Sequence, residues 1–145
     1  MTTVAWDGRT LAADRQSTSN DGCRTSQVTK IRRMPDGRLA AAAGAAARCN
    51  AYLTWLADQS QPRPAWQDST ETSVYALEVL LDGTLLKHEE HGFFVLECPF
   101  AAMGSGASYA LAAMACGKSA AEAIEIAARF DAWTGGGVDV LELMA

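Results

Sequence analysis

Three turn-forming pairs, Asp7-Gly8, Asp36-Gly37 and Asp82-Gly83, each sit between short runs of apolar and β-branched residues. This arrangement constrains the fold more than any other feature. A glycine after an aspartate supplies the positive φ that a tight hairpin turn needs, so each pair joins two antiparallel strands. Residues 2–6 are expected to pair with 10–14, residues 30–34 with 38–43, and residues 73–81 with 84–87; residues 93–97 form a further strand before Pro99. The polar stretch 15–29, which contains Asp21-Gly22, reads as a loop with one short strand. Residues 45–57 carry Leu53, Leu56 and Ala57 at helical spacing, and Ser60-Gln61-Pro62-Arg63-Pro64 stops that helix. Residues 107–116 are alanine-rich and end at Gly117, while Ser119-Ala120-Ala121-Glu122 is a capping box that opens a helix through residue 130. Residues 138–143 close the chain as a strand. Strands and helices are segregated rather than alternating, which predicts an α+β fold with sheets between helical layers, in one domain over residues 1–145.

Composition excludes several function classes. With 49% hydrophobic residues the 145-residue chain has enough apolar side chains for one core, and its net charge of -5 argues against a nucleic-acid surface. No apolar run approaches the roughly 18 residues of a bilayer span, and no basic segment precedes an apolar stretch, so a cytoplasmic protein without membrane association is expected. Cys23, Cys49, Cys98 and Cys116 are scattered without a paired motif and are expected to be reduced. His88-Glu89-Glu90-His91 has the wrong spacing for a helical zinc motif and reads as a polar strand edge or loop; neither metal nor cofactor is expected. Trp6, Trp55, Trp66 and Trp133 are dispersed, which suits packing better than a stacking platform.

The residues that carry chemistry begin at Met1-Thr2-Thr3. Removal of Met1 exposes Thr2 with a hydroxyl nucleophile and an α-amine base on one residue. Such an amine titrates at about 7.7 to 8.0, so a substantial neutral fraction exists near pH 7, and a neighbouring ammonium increases it. Asp14 ends the second strand and Lys30 begins a later one, so both can approach the start of the chain; the same two residues are also compatible with a surface ion pair. Gly44 stands at a strand-to-helix junction, where a backbone N–H can meet a developing oxyanion or simply complete a tight turn. Ser105 lies at the start of a helix, where it either caps that helix or faces the nucleophile.

Taken in order, these segments resemble the proteasome β subunits and the bacterial HslV peptidase, which are N-terminal-nucleophile hydrolases. Thr2-Thr3-Val4-Ala5 looks like their mature start, Ala13-Asp14-Arg15-Gln16-Ser17-Thr18 like the segment with a catalytic aspartate, and Lys30-Ile31-Arg32-Arg33 like the catalytic-lysine strand. Ala43-Gly44 matches the Ala-Gly of the oxyanion hole, Gly104-Ser105-Gly106-Ala107-Ser108-Tyr109-Ala110 the Gly-Ser-Gly-x-x-Tyr-Ala helix opening, and Asp131-Ala132-Trp133-Thr134-Gly135-Gly136 the Asp-x-x-Ser-Gly-Gly segment with threonine in place of serine.

The resemblance covers nearly the whole chain. It implies a four-layer αββα sandwich, homo-oligomeric stacked rings, and hydrolysis of peptides or unfolded proteins inside them, with an AAA+ unfoldase as a possible partner. It assigns Thr2 as nucleophile, Lys30 with Asp14 as the activating pair, Gly44 to the oxyanion, and Ser105, Asp131 and Thr134 to hydrogen bonds around the amine. Thr18 would contact an extended substrate backbone. Two departures stand out. The region before Ser73, with Pro62, Pro64 and Trp66, is shorter than in longer members, and Ala45-Ala46-Ala47-Arg48 replaces the usual acidic residue after Gly44, which alters the substrate pocket. A catalytically inactive ring scaffold that retains Met1, and a small-molecule amidohydrolase of the same class, are the competing expectations.

Overall fold

The computed structural model describes residues 2–18, 23–65 and 74–144. In chain order the elements are β1 (Thr3–Trp6), β2 (Thr10–Asp14), β3 (Gln16–Thr18), β4 (Arg24–Gln27), β5 (Ile31–Arg33), β6 (Leu39–Gly44), α1 (Ala46–Ala57), β7 (Val74–Val79), β8 (Leu85–Glu89), β9 (Gly92–Leu96), β10 (Ala101–Gly104), α2 (Ala107–Ala115), α3 (Ala120–Phe130) and β11 (Val138–Glu142). They form one sheet of order β10-β1-β2-β11, a second of order β5-β6-β7-β8-β9, and a separate β3-β4 ribbon.

The three hairpin turns share one mechanism. In each, the aspartate carboxylate accepts the backbone N–H two residues on: Arg9 at 3.0 Å from Asp7, Arg38 at 3.2 Å from Asp36, Thr84 at 2.9 Å from Asp82. The glycine between them takes a φ of 96°, 98° or 87°, which a side chain would oppose.

Strand alternation sends side chains to two different cores. Val4, Trp6, Leu11 and Ala13 of the first sheet meet Ile31, Leu39, Ala41, Leu77 and Val79 of the second. On the opposite side of the first sheet Ala5 and Ala12 pack against Ala110, Met114, Ala123 and Ile124 of α2 and α3. On the opposite side of the second, Ala40, Ala42 and Ala76 receive Cys49, Tyr52, Leu53 and Leu56 of α1. Ala5 and Ala12, and Ala40, Ala42 and Ala76, are therefore explained by place: they lie where a helix packs closely on a sheet, whereas Ala13 and Ala41 face the core between the sheets.

Helices and most strands fall within a residue or two of expectation, and the capping box of α3 is formed in both directions. Other expectations need correction. Residues 15–29 hold two strands, β3 and β4, paired through a register shift at Ser17/Thr18. The strand β10 was not expected at all; it pairs with β1, nearly a hundred residues earlier, and four small or flexible residues leave no periodic signal for it. His88 is not at a polar edge but is 4% exposed, with Nε2 at 2.8 Å from Glu78 and Nδ1 at 2.9 Å from the Tyr52 hydroxyl, whereas His91 lies exposed in the following turn. Among the described residues the cysteines form no disulfide, and of the four Cys49 alone is buried. Asp21-Gly22, Trp66 and Ser73 lie outside the described residues. No helix among the described residues is long and apolar enough to cross a membrane.

Candidate active site

The site lies where the start of β1 meets the ends of β2, β6 and β10. Thr2, 4% exposed, precedes β1 and is held there by its own carbonyl oxygen, which accepts the Ser105 N–H at 2.9 Å. It lines a cleft of about 1220 Å³ together with Thr18, Lys30, Gly44, Ser105 and Trp133. Gly44 is the last residue of β6 with φ 132°, α1 begins from Ala45 without any side-chain cap, and this strand-to-helix turn of small residues lines the cleft.

Asp14 sits beneath Thr2 at 0% exposure. Its Oδ1 accepts Lys30 Nζ at 2.8 Å and the Thr3 N–H at 3.0 Å; its Oδ2 accepts the N–H groups of Gly135 at 3.1 Å and Gln16 at 3.3 Å. Four donors on one carboxylate fix it in place. The Lys30 and Asp14 side chains are 6% and 0% exposed, so the surface ion pair that the residue types alone allowed is not what forms. Burial draws the Lys30 ammonium below its ordinary pKa, and the Asp14 bond offsets that only in part.

A second carboxylate lies on the other side. Asp131 caps the end of α3 and accepts Ser105 Oγ at 2.6 Å, Thr134 Oγ1 at 2.5 Å and the Trp133 N–H at 3.2 Å. Burial pushes this carboxyl up, but the two hydroxyls and the N–H outweigh it and hold it below the usual value. Ser105 therefore does not cap α2, whose cap is Gly106 with no side-chain bond. The Gly135-Gly136-Gly137 run is also more than a flexible turn: the Gly135 N–H binds Asp14, and a Cβ on Gly136 would lie 3.2 Å from the backbone nitrogen of Gln16.

Every candidate residue read from the sequence thus falls in one place. Thr2, Thr18, Lys30, Gly44 and Ser105 line the cleft, Asp14 lies behind Lys30, and Asp131 with Thr134 lies behind Ser105. Sequence reasoning missed three residues. Thr3 binds Thr134 through hydroxyls 2.6 Å apart, and a Cβ on Gly104 or Gly106 would come within 1.6 Å of the Thr2 carbonyl oxygen or 2.4 Å of Thr3 Oγ1. The available signal was the spacing of the two glycines around Ser105, which marks a close approach of two backbones. Trp133, expected to pack in a core or interface, is a cleft residue.

No family model matches the sequence, and no curated protein matches it. Solved structures do. HslV from Trypanosoma brucei superposes with a TM-score of 0.75 at 20% identity over 99% of both chains. BPH from Thiobacillus denitrificans, in complex with epoxomicin, gives a TM-score of 0.72 at 23% identity over 99% of this chain and 100% of that one. With the site and these superpositions in view, the chain has the HslV-like fold that both proteins share.

Proposed function

We propose that the chain is a threonine peptidase of the proteasome β-subunit and HslV type, one domain over residues 1–145 in a four-layer αββα arrangement. Two sheets with a shared core and helices on their outer sides support that layering. The observation that carries the functional reading is the convergence on one cleft of Thr2, Lys30, Gly44 and Ser105, with the buried Asp14 carboxylate behind Lys30.

With Met1 removed, Thr2 Oγ attacks the scissile carbonyl carbon and the α-amine takes the hydroxyl proton. The Lys30 ammonium, held by Asp14, favours the deprotonated forms of both groups. The Gly44 N–H donates to the oxyanion, a contribution of about 3 to 4 kcal/mol where single donors have been removed elsewhere. Collapse of the tetrahedral intermediate breaks the C–N bond, and the leaving amine takes its proton from the α-ammonium. Water, deprotonated by the same amine, then hydrolyses the ester on Thr2. Thr18 on β3 pairs with the backbone of an extended substrate, so the substrates are peptides or unfolded chains. The fold shared with HslV supports extending the reading to homo-oligomeric stacked rings fed by an AAA+ unfoldase.

Thr2→Ala should abolish hydrolysis of a fluorogenic peptide while the oligomer, followed by light scattering, remains. Lys30→Met should lower the rate by at least about a hundredfold, the scale of removing one transition-state electrostatic group. Undiminished peptidase activity in Thr2→Ala would sink the assignment, and Met1 found intact in the native protein would favour the inactive scaffold.

A further inference from the structure

Thr3, beside the proposed nucleophile, is 0% exposed and makes three bonds. Its N–H donates to Asp14 Oδ1, the atom that also receives Lys30; its Oγ1 accepts the Gly106 N–H at 2.9 Å; and that oxygen lies 2.6 Å from Thr134 Oγ1. It thus touches both carboxylate systems of the site.

The direction of every hydroxyl in this chain is determined. Asp131, held ionised by its donors, only accepts. Thr134 has one hydroxyl hydrogen and donates it to Asp131 Oδ2, so in the Thr3–Thr134 contact the donor is Thr3. Thr3 in turn accepts from Gly106. The chain therefore runs from the Gly106 N–H through Thr3 and Thr134 to Asp131, where Ser105 donates from the other side. With its hydrogen committed to Asp131, Ser105 Oγ has only lone pairs to offer the cleft.

From this geometry we infer that Thr3 is a positioning residue for the Thr2 amine, a conclusion that rests on the peptidase reading above. The Thr3 hydroxyl locks the chain so that the amine meets acceptors on the Ser105 side. Its N–H hydrogens turn that way, and its lone pair is left for the Thr2 hydroxyl. Each hydroxyl donating along the chain polarises the next and withdraws charge from Asp131. Without Thr3 Oγ the carboxylate keeps more charge, stabilises the ammonium, and raises the pH at which the amine becomes a base.

The test is the rate at which a β-lactone acylates Thr2, followed by intact mass from pH 5 to 9 in the assembled protein. Thr3→Val should slow labelling about tenfold or more, the scale of a small misplacement of a reacting group, and move the acid limb to higher pH. Thr3→Ser, which restores the hydroxyl, should restore both. Thr134→Val cuts the same chain from its other end and carries the test if Thr3→Val does not fold. An acid limb and rate equal to wild type in the folded variant overturn the inference while leaving the peptidase reading intact. Absence of labelling in the wild type overturns both.

Discussion

Replacing Gly104 by alanine tests how closely β10 is pressed against the start of β1. The backbone at Gly104 has φ 98°, a conformation that costs a residue with a Cβ about 1 to 2 kcal/mol. The new Cβ would also stand 1.6 Å from the Thr2 carbonyl oxygen, 2.6 Å from its carbon and 3.3 Å from Thr3 Cα. All three atoms are backbone, so relief requires β1 and β10 to part. Overpacking of this kind costs about 1 to 3 kcal/mol, and loss of the 2.9 Å bond from the Ser105 N–H to the Thr2 carbonyl adds about 1 kcal/mol. Together these destabilise the variant by about 3 to 6 kcal/mol, which for a chain of this length lowers Tm by roughly 3 °C per kcal/mol. Gly83→Ala is the control: φ there is 87° but nothing lies within 4 Å, so only the conformational cost of about 1 to 2 kcal/mol remains. Thermal unfolding of both variants, side by side, separates the two contributions. Equal losses of Tm would refute the reasoning, because they would mean that the carbonyl of Thr2 is not where the Gly104 Cβ must go. Gly104→Ala should also lose threonine labelling ahead of its loss of fold, since the Thr2 carbonyl is the contact displaced.

Two further outcomes follow from groups outside the cleft chemistry or at its wall. Burial pushes the Cys49 thiol up to about 11, so at pH 8 a disulfide reagent should titrate Cys23, Cys98 and Cys116 rapidly and Cys49 only after unfolding; four fast thiols would contradict the burial of α1 on the second sheet. Burial pushes the Glu78 carboxyl up, but its bonds to His88 and Arg38 outweigh this and leave it below the ordinary value. Its stabilising contribution is therefore complete above the unfolded glutamate value of about 4.3 and is lost as pH falls through the folded value. Glu78→Gln should lower Tm at pH 7 and converge on the wild type in the acid range, and a gap that stays constant from pH 7 to pH 3 would refute this.

The hairpins were legible because the aspartate and glycine of each turn act within three residues, and the capping box of α3 was legible for the same reason. β10 was not, because what makes Ala101–Gly104 a strand is pairing with Thr3 to Trp6 across the chain, and its composition carries no trace of that. His88 misled because a histidine in the charged run Lys87 to His91 looks solvated; burial follows from Glu78 on the neighbouring strand β7 and from Tyr52 on α1, which is remote in sequence, closing over it. In the cleft, the residues that bear reactive or charged groups were legible from type and order. The residues that hold them, Thr3, Gly104 and Gly106, were not, since their importance lies in distances between backbones.

The central claim is that Thr2 becomes a free N-terminal nucleophile. Intact mass of protein purified from its native host, before and after exposure to a β-lactone, tests it most directly. The account predicts a mass lighter than the encoded chain by one methionine and a single adduct, which peptide mapping places on Thr2. A mass that retains Met1, with no adduct, would contradict it.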